Sequence, residues 1–182
     1  MSPRAVIFWF TGLSGVGKST LASGLRDVLT AEGRRVLILD GDDVRNRLHR
    51  HLGFSPEDIR LNNELIAGLC EENRADYDLI LVPIISPYLD SRCAARRRLE
   101  PGFHEIHVTA SLDVLHDRDT KGLYAAASRS EIDNLIGVSP SSPYDVPAKA
   151  DLVIDTGEEQ REQSAARLLD FAHHCLAGQG VP

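Results

Sequence analysis

Gly12-Leu13-Ser14-Gly15-Val16-Gly17-Lys18-Ser19 reads G-x-x-x-x-G-K-S, the spacing of a phosphate-binding loop. An apolar run from Ala5 to Phe10 precedes it and reads as a buried strand. Thr20 to Glu32 follows it and reads as a helix, with Leu21, Leu25, Val28 and Leu29 on one face. A strand, this loop and a helix in that order form the context in which the motif carries chemistry. The glycines let successive backbone N–H groups turn inward toward phosphate oxygens, and the opening helix adds its positive end. Gly12 through Thr20 are therefore the candidate triphosphate contacts. Lys18 is placed to reach the β- and γ-phosphates, and the Ser19 hydroxyl to ligate Mg²⁺.

Outward from the loop, apolar runs alternate with helical patterns. Strands are expected at Ala5–Phe10, Arg35–Leu39, Leu79–Ile85, Glu105–Thr109 and Asp151–Ile154. Helices are expected at Ser19–Glu32, Asp43–His51, Pro56–Ala75, Leu89–Leu99, Leu112–Asp117 and Glu158–Leu176. The strands are short and almost wholly apolar, as when both faces of a sheet are covered. Alternation of this kind implies an α/β fold, a parallel five-stranded sheet with helices on both faces, and ligands at the carboxyl ends of the strands. Residues 118–150 break the rhythm. They contain Pro140, Pro143 and Pro147 and no clear strand, and read as a mobile lid on a single domain spanning 1–182.

The chain has 182 residues, 42% of them hydrophobic, and a formal net charge of −7. That balance argues against nucleic acid as a partner. No apolar run is long enough for a membrane span. Three scattered cysteines, Cys70, Cys93 and Cys175, suit reduced thiols in a cytoplasmic protein, and residues 1–4 leave no room for a signal peptide.

Asp40-Gly41-Asp42-Asp43 ends the second expected strand and would face the loop across the strand ends. Phosphoryl transfer needs a carboxylate to orient the attacking hydroxyl and carboxylates to hold hydrated Mg²⁺. Asp42 or Asp43 is equally able to cap the next helix. Arg45, one helical turn past Asp42, could fork onto an anionic acceptor. Phe54 could stack on a base or simply pack in the core. Arg92, Arg96, Arg97 and Arg98 follow on a helix; apart from Arg92 they read as a solvated face.

Six strings lie in order along nearly the whole chain. They are Phe10 to Thr20, Leu39-Asp40-Gly41-Asp42-Asp43-Val44-Arg45, Leu52-Gly53-Phe54-Ser55, Ile85-Ser86-Pro87-Tyr88, Arg118 to Tyr124, and Asp151 to Gly157. Together they resemble the adenylylsulfate kinases, or APS kinases. The resemblance implies a P-loop nucleoside triphosphate hydrolase-like three-layer fold with strand order 2-3-1-4-5, and a homodimer. It implies ATP and Mg²⁺ as cofactors, and transfer of the γ-phosphate to the ribose 3′-hydroxyl of adenosine 5′-phosphosulfate (APS). Carried over residue by residue, Asp42 resembles the catalytic carboxylate, at the metal with Ser19, and Lys18 and Ser86 join it as catalytic candidates. Asp40, Arg45, Phe54, Asn62, Ile85, Ser86, Lys121 and Leu123 resemble acceptor contacts. Arg118 resembles a lid residue closing on the nucleotide.

The departures from the family lie on the acceptor side. Ile59 stands where the resemblance implies arginine, with Arg60 one position on. Leu135-Ile136-Gly137 stands for Phe-Thr-Gly, with Leu135 at the phenylalanine, and Ala125-Ala126-Ala127 for a basic run. Three readings follow: APS itself as acceptor, a different nucleotide-like or anionic acceptor, or a nucleotide-binding regulator that transfers nothing.

Overall fold

The computed structural model describes residues 5–47, 51–119 and 121–178. The elements run β1 (Val6–Thr11), α1 (Lys18–Ala31), β2 (Val36–Ile38), α2 (Gly41–Arg47), α3 (Pro56–Asn73) and β3 (Leu79–Pro83). There follow α4 (Leu89–Leu99), β4 (Phe103–Thr109), α5 (Leu112–Arg118), α6 (Leu123–Ser128), β5 (Leu152–Asp155) and α7 (Arg161–Ala177). The strands form one parallel sheet in the order β2-β3-β1-β4-β5, which is the 2-3-1-4-5 order that the resemblance implies.

β1 shows why the strands read as unbroken apolar runs. Val6, Phe8 and Phe10 point into one core with Leu21, Leu25 and Leu29 of α1 and Leu168 of α7. Ala5, Ile7 and Trp9 point into a second core with Ile66 and Cys70 of α3 and Leu99 of α4. Both faces are therefore dry, and polar alternation has no place. Val28 is the exception to the expected α1 face. It is 42% exposed, at the rim of the helix.

Two local features differ from the sequence reading. α6 lies inside residues 118–150, where no strand was expected and no helix was assigned. The Asp119 carboxylate accepts from Tyr124 N (3.1 Å) and Ala125 N (2.9 Å) and so satisfies its first turn. α7 starts at Arg161 rather than Glu158, because Asp155 Oδ1 accepts from Gly157 N (2.9 Å) and holds a turn there. The expected helix to His51 is present as far as Arg47. Residues 48–50 lie outside the described residues, as do Thr120 and residues 1–4. The cysteines are free, with Cys70 buried. Among the described residues no helix is long and apolar enough to cross a membrane.

Candidate active site

β1 delivers the chain to the loop at Gly12, where only a glycine fits. A Cβ there would stand 2.0 Å from the Val108 carbonyl oxygen of β4. Gly17, at φ +96°, turns the chain into α1, which opens with no side-chain cap. Its first N–H groups are thus left for an anion. The apolar loop residues anchor the loop from below: Val16 is buried in the first core and Leu13 packs against it. Tyr124 of α6 donates to the Ser14 carbonyl (2.7 Å), and Thr156 donates to the Val16 carbonyl (2.9 Å).

Lys18 is buried, and its Nζ donates to the Gly12 and Leu13 carbonyls, each at 2.8 Å. Burial first, and Lys121 second, push its ammonium down to about 7. Ser19 and Thr20 are exposed beside it. A cavity of about 260 Å³ joins Ser14, Lys18, Ser19, Asp40, Asp42 and Lys121.

The two aspartates divide their work differently from the sequence reading. Asp40, not Asp42 or Asp43, caps α2: its Oδ1 accepts from Asp42 N (3.0 Å). Its Oδ2 accepts from Ser19 Oγ (2.7 Å). The carboxylate paired with the metal-candidate hydroxyl is thus Asp40. Asp42, expected beside Ser19, instead meets Lys121 Nζ at 2.6 Å, both side chains being exposed. An exposed pair of this kind contributes little stability. Its effect is to bring the root of the 118–150 segment onto the strand ends.

Beyond Asp42 lies a small pocket of about 80 Å³, lined by Arg45, Phe54, Ile59, Asn62, Ile85, Ser86 and Ile136 among others. Phe54 is 65% exposed, so it is not a core residue. The Arg45 guanidinium lies 4.7 Å from its ring centroid and donates to the Leu52 carbonyl (3.2 Å) and to the Gly53 carbonyl. Arg60 does not take the place of an arginine at Ile59. It faces away, paired with Asp90 (2.9 Å) and stacked on Tyr88 (4.3 Å). Leu135, expected at the missing aromatic wall, is buried in the first core, and the pocket-lining residue is its neighbour Ile136. Leu123 packs against that same core. Ser86 is 2% exposed, and its hydroxyl accepts from Trp9 Nε1 and Asn63 Nδ2, both at 3.1 Å. That hydroxyl is held within the protein, and Asn63 is a partner that no motif announced.

On the other side of the loop a cavity of about 290 Å³ is lined by Gly15, Thr20, Arg118, Thr156 and Arg161 among others. Arg118 donates to Thr156 Oγ1 (2.9 Å). Thr156 therefore joins the phosphate loop to the root of the 118–150 segment. Sequence reading placed it at a strand end without assigning it a role.

The arginines after Ser86-Pro87-Tyr88 separate on inspection. Arg92 is fully buried against Glu105 (2.6 Å). Arg96 pairs with Asp151 (2.6 Å), and Arg98 pairs on the surface with Glu71 (2.9 Å).

A family model described as adenylylsulphate kinase matches residues 4–155. The adenylyl-sulfate kinase of Bacillus pumilus is 42% identical over 169 residues, covering 92% of this chain and 85% of that protein. That of Halothermothrix orenii is 43% identical over 172 residues, covering 92% and 89%. A Mycobacterium tuberculosis APS kinase solved in complex with AMPPNP and APS superposes with a TM-score of 0.87 at 33% identity, over 94% of this chain and 99% of that one. A Sinorhizobium meliloti gluconokinase, 15% identical with a TM-score of 0.60, shares the fold.

Proposed function

The chain belongs to the adenylylsulphate kinase family, and from that premise we propose that it transfers the γ-phosphate of ATP to the ribose 3′-hydroxyl of adenosine 5′-phosphosulfate. It is a phosphotransferase acting on a hydroxyl group, so the reading as a regulator without turnover falls away. The observation that carries the acceptor reading is the placement of Asp42. It lies between the cavity holding Lys18 and the pocket holding Phe54, and lines both.

In this reading the triphosphate lies along Gly12–Thr20, with its base in the cleft beneath Arg118. Lys18 turns from the loop carbonyls to the β- and γ-phosphates. The acceptor base stacks on Phe54, Arg45 faces its anionic groups, and Asn62 and the Ile85–Ser86 backbone form the wall behind it. Asp42 orients the 3′-hydroxyl and accepts its proton as the new O–P bond forms. The bond from the γ-phosphorus to the β–γ bridging oxygen breaks, and ADP leaves with that electron pair. Lys121 crosses from Asp42 toward the phosphates as charge builds there.

The residues fit a magnesium ion. Ser19 Oγ and Asp40 Oδ2, 2.7 Å apart, are hard oxygen donors, with Asp42 near by. Mg²⁺ needs only one or two protein oxygens beside water and phosphate. When bound, it supplies positive charge to the β- and γ-oxygens.

A different acceptor is favoured by one observation: the pocket is walled by Ile59, Ile84, Ile85 and Ile136, with a single aromatic face. The test is ADP release with APS against a panel of nucleotides and sugars. APS turned over with the highest kcat/KM supports the proposal, and turnover of another acceptor alone refutes it. A homodimer in a cytoplasmic setting completes the proposal, with light scattering of the purified protein as the check on assembly.

A further inference from the structure

Ser86 and Ser130 are the non-glycine residues with clearly positive φ among the described residues, Ser86 at +45°. A serine persists there only where its surroundings over-determine it. Around Ser86 they do so on every side. Trp9 and Asn63 donate to its hydroxyl. The Thr11 hydroxyl donates to the preceding carbonyl, that of Ile85 (2.7 Å). Arg92 Nη1 donates to the Ser86 carbonyl (2.9 Å) and to the Pro87 carbonyl (3.1 Å).

The other arm of the same guanidinium leaves this turn. Arg92 Nη2 donates to the carbonyl of Asp145 (2.6 Å), 53 residues further along. Asp145 returns two bonds: its N–H donates to the Pro87 carbonyl (2.8 Å), and its Oδ2 accepts from Leu89 N (2.9 Å), capping the otherwise uncapped α4. Its neighbour Tyr144 places its hydroxyl 2.9 Å from Thr11 Oγ1. Glu105 of β4 neutralises the buried charge at 2.6 Å. A buried cation is costly to desolvate, and this one is retained with three carbonyls and a carboxylate around it.

We propose that Arg92 is a positioning residue for the acceptor. Its guanidinium locks the Ile85–Pro87 wall of the acceptor pocket to the far end of the 118–150 segment, so that wall and segment act as one piece. The near end of that segment is held by a different pair, Lys121 with Asp42 at 2.6 Å. The inference rests on the acceptor lying against the Ile85–Pro87 wall, as proposed above. The guanidinium reaches the Ser86 and Pro87 carbonyls with Nη1, the Asp145 carbonyl with Nη2 and Glu105 with Nε, a spread that the single nitrogen of a lysine does not cover while keeping its charge opposite Glu105.

Arg92→Lys separates the two roles. A misplaced wall raises KM for APS by between about tenfold and a hundredfold. KM for ATP stays within about twofold, because the loop's own links to this turn run from Gly12 N (3.3 Å) and Thr11 Oγ1 (2.7 Å) to the Ile85 carbonyl and not through Arg92. Amide exchange at Ile84, Ile85, Ser86 and Tyr88 and at Tyr144, Asp145 and Val146 rises together, while exchange in β1 and α1 does not. Tyr144→Phe, which removes one hydroxyl and keeps the core filled, shifts KM for APS in the same direction by less. It stands as the test if Arg92→Lys does not fold.

Unchanged exchange in both segments overturns the lock whatever the acceptor proves to be. Raised exchange with unaltered KM for APS overturns the positioning role. Equal rises in both KM values also overturn it, by making Arg92 merely structural. A wild-type protein that does not turn over APS refutes the acceptor reading instead, and the exchange result then decides the lock alone.

Discussion

ATP binding should take up a proton at Lys18. Its ammonium, pushed down to about 7 by burial and by Lys121, is mostly neutral in the free protein at slightly alkaline pH. The β- and γ-phosphate oxygens delivered to Nζ restore the charged form. At about pH 8 only roughly a tenth of free Lys18 is charged, so binding takes up close to 0.9 proton. Above that pH the affinity falls by about tenfold per pH unit until the bound-state pKa is reached. ATP does not itself titrate in this range, because a phosphate's second ionisation lies near 6. The sign is that of a basic group whose pKa is depressed in the free fold and raised by ligand: affinity is full below about 7 and is lost above it. Calorimetry of MgATP binding without acceptor, in buffers of differing ionisation enthalpy, reads the proton directly. Lys121→Gln removes the second cause of the depression and should lower the uptake at about pH 8. Uptake near zero at about pH 8.5, with affinity flat from about pH 7.5 to 9, would refute the reasoning.

Asp42→Asn should lower kcat by at least about a hundredfold with little change in KM for ATP, since the amide keeps the shape but accepts no proton. Asp40→Asn should instead weaken Mg²⁺ binding and α2, seen as a raised magnesium requirement in the same assay. Silent Asp42→Asn beside inactive Asp40→Asn would reverse the assignment. Ile59→Arg with Ile136→Phe should raise kcat/KM for APS, because a guanidinium and a second ring then face the pocket. Leu135→Phe should only overpack the first core, costing about 1–3 kcal/mol and lowering Tm with no gain for APS. Thr156→Val should raise KM for ATP several-fold with KM for APS unmoved, and Thr156→Ser should restore it; equal shifts in both constants would deny Thr156 its link between loop and lid.

The fold was legible wherever burial is two-sided. β1 and β3 read as strands because no polar residue interrupts residues 6–10 or Leu79–Pro83, whereas β4, with His104, Glu105 and His107 in it, was read only from Glu105 onward. The bounds of α4, Leu89–Leu99, emerged unaltered. α6 was not legible, since six residues hold too little periodicity and its cap, Asp119, lies upstream of a glycine. In the site, Gly12–Thr20 and the Asp40–Asp42 pair carried their own signal. The division of labour between the aspartates did not, because it depends on which carboxylate Ser19 reaches across the strand ends. Leu135 and Ile136 exchange roles because an irregular segment has no period from which to tell the inward residue. Arg92 stood apart from its neighbours in the sequence, but its role did not. Its burial and its three carbonyl partners appear only once Ser86, Pro87 and Asp145 are brought together.

The sheet order has a consequence for synthesis. β1 is the central strand, yet it is made first. Val6 finds its partner at Leu79, 73 residues later, and Ile7 its other partner only at Phe103. At the usual pace of about 5–20 residues per second, a nascent chain carries Val6–Thr11, six apolar or nearly apolar residues, unpaired for roughly 4–15 seconds before β3 even exists. The helix that could shelter it, α1, follows at once and presents Leu21, Leu25 and Leu29 to the same face. Slow translation between Ala31 and Leu79 should therefore be the stage at which newly made chains are most readily lost to aggregation, and the stage at which a chaperone that grips extended apolar segments has most to hold.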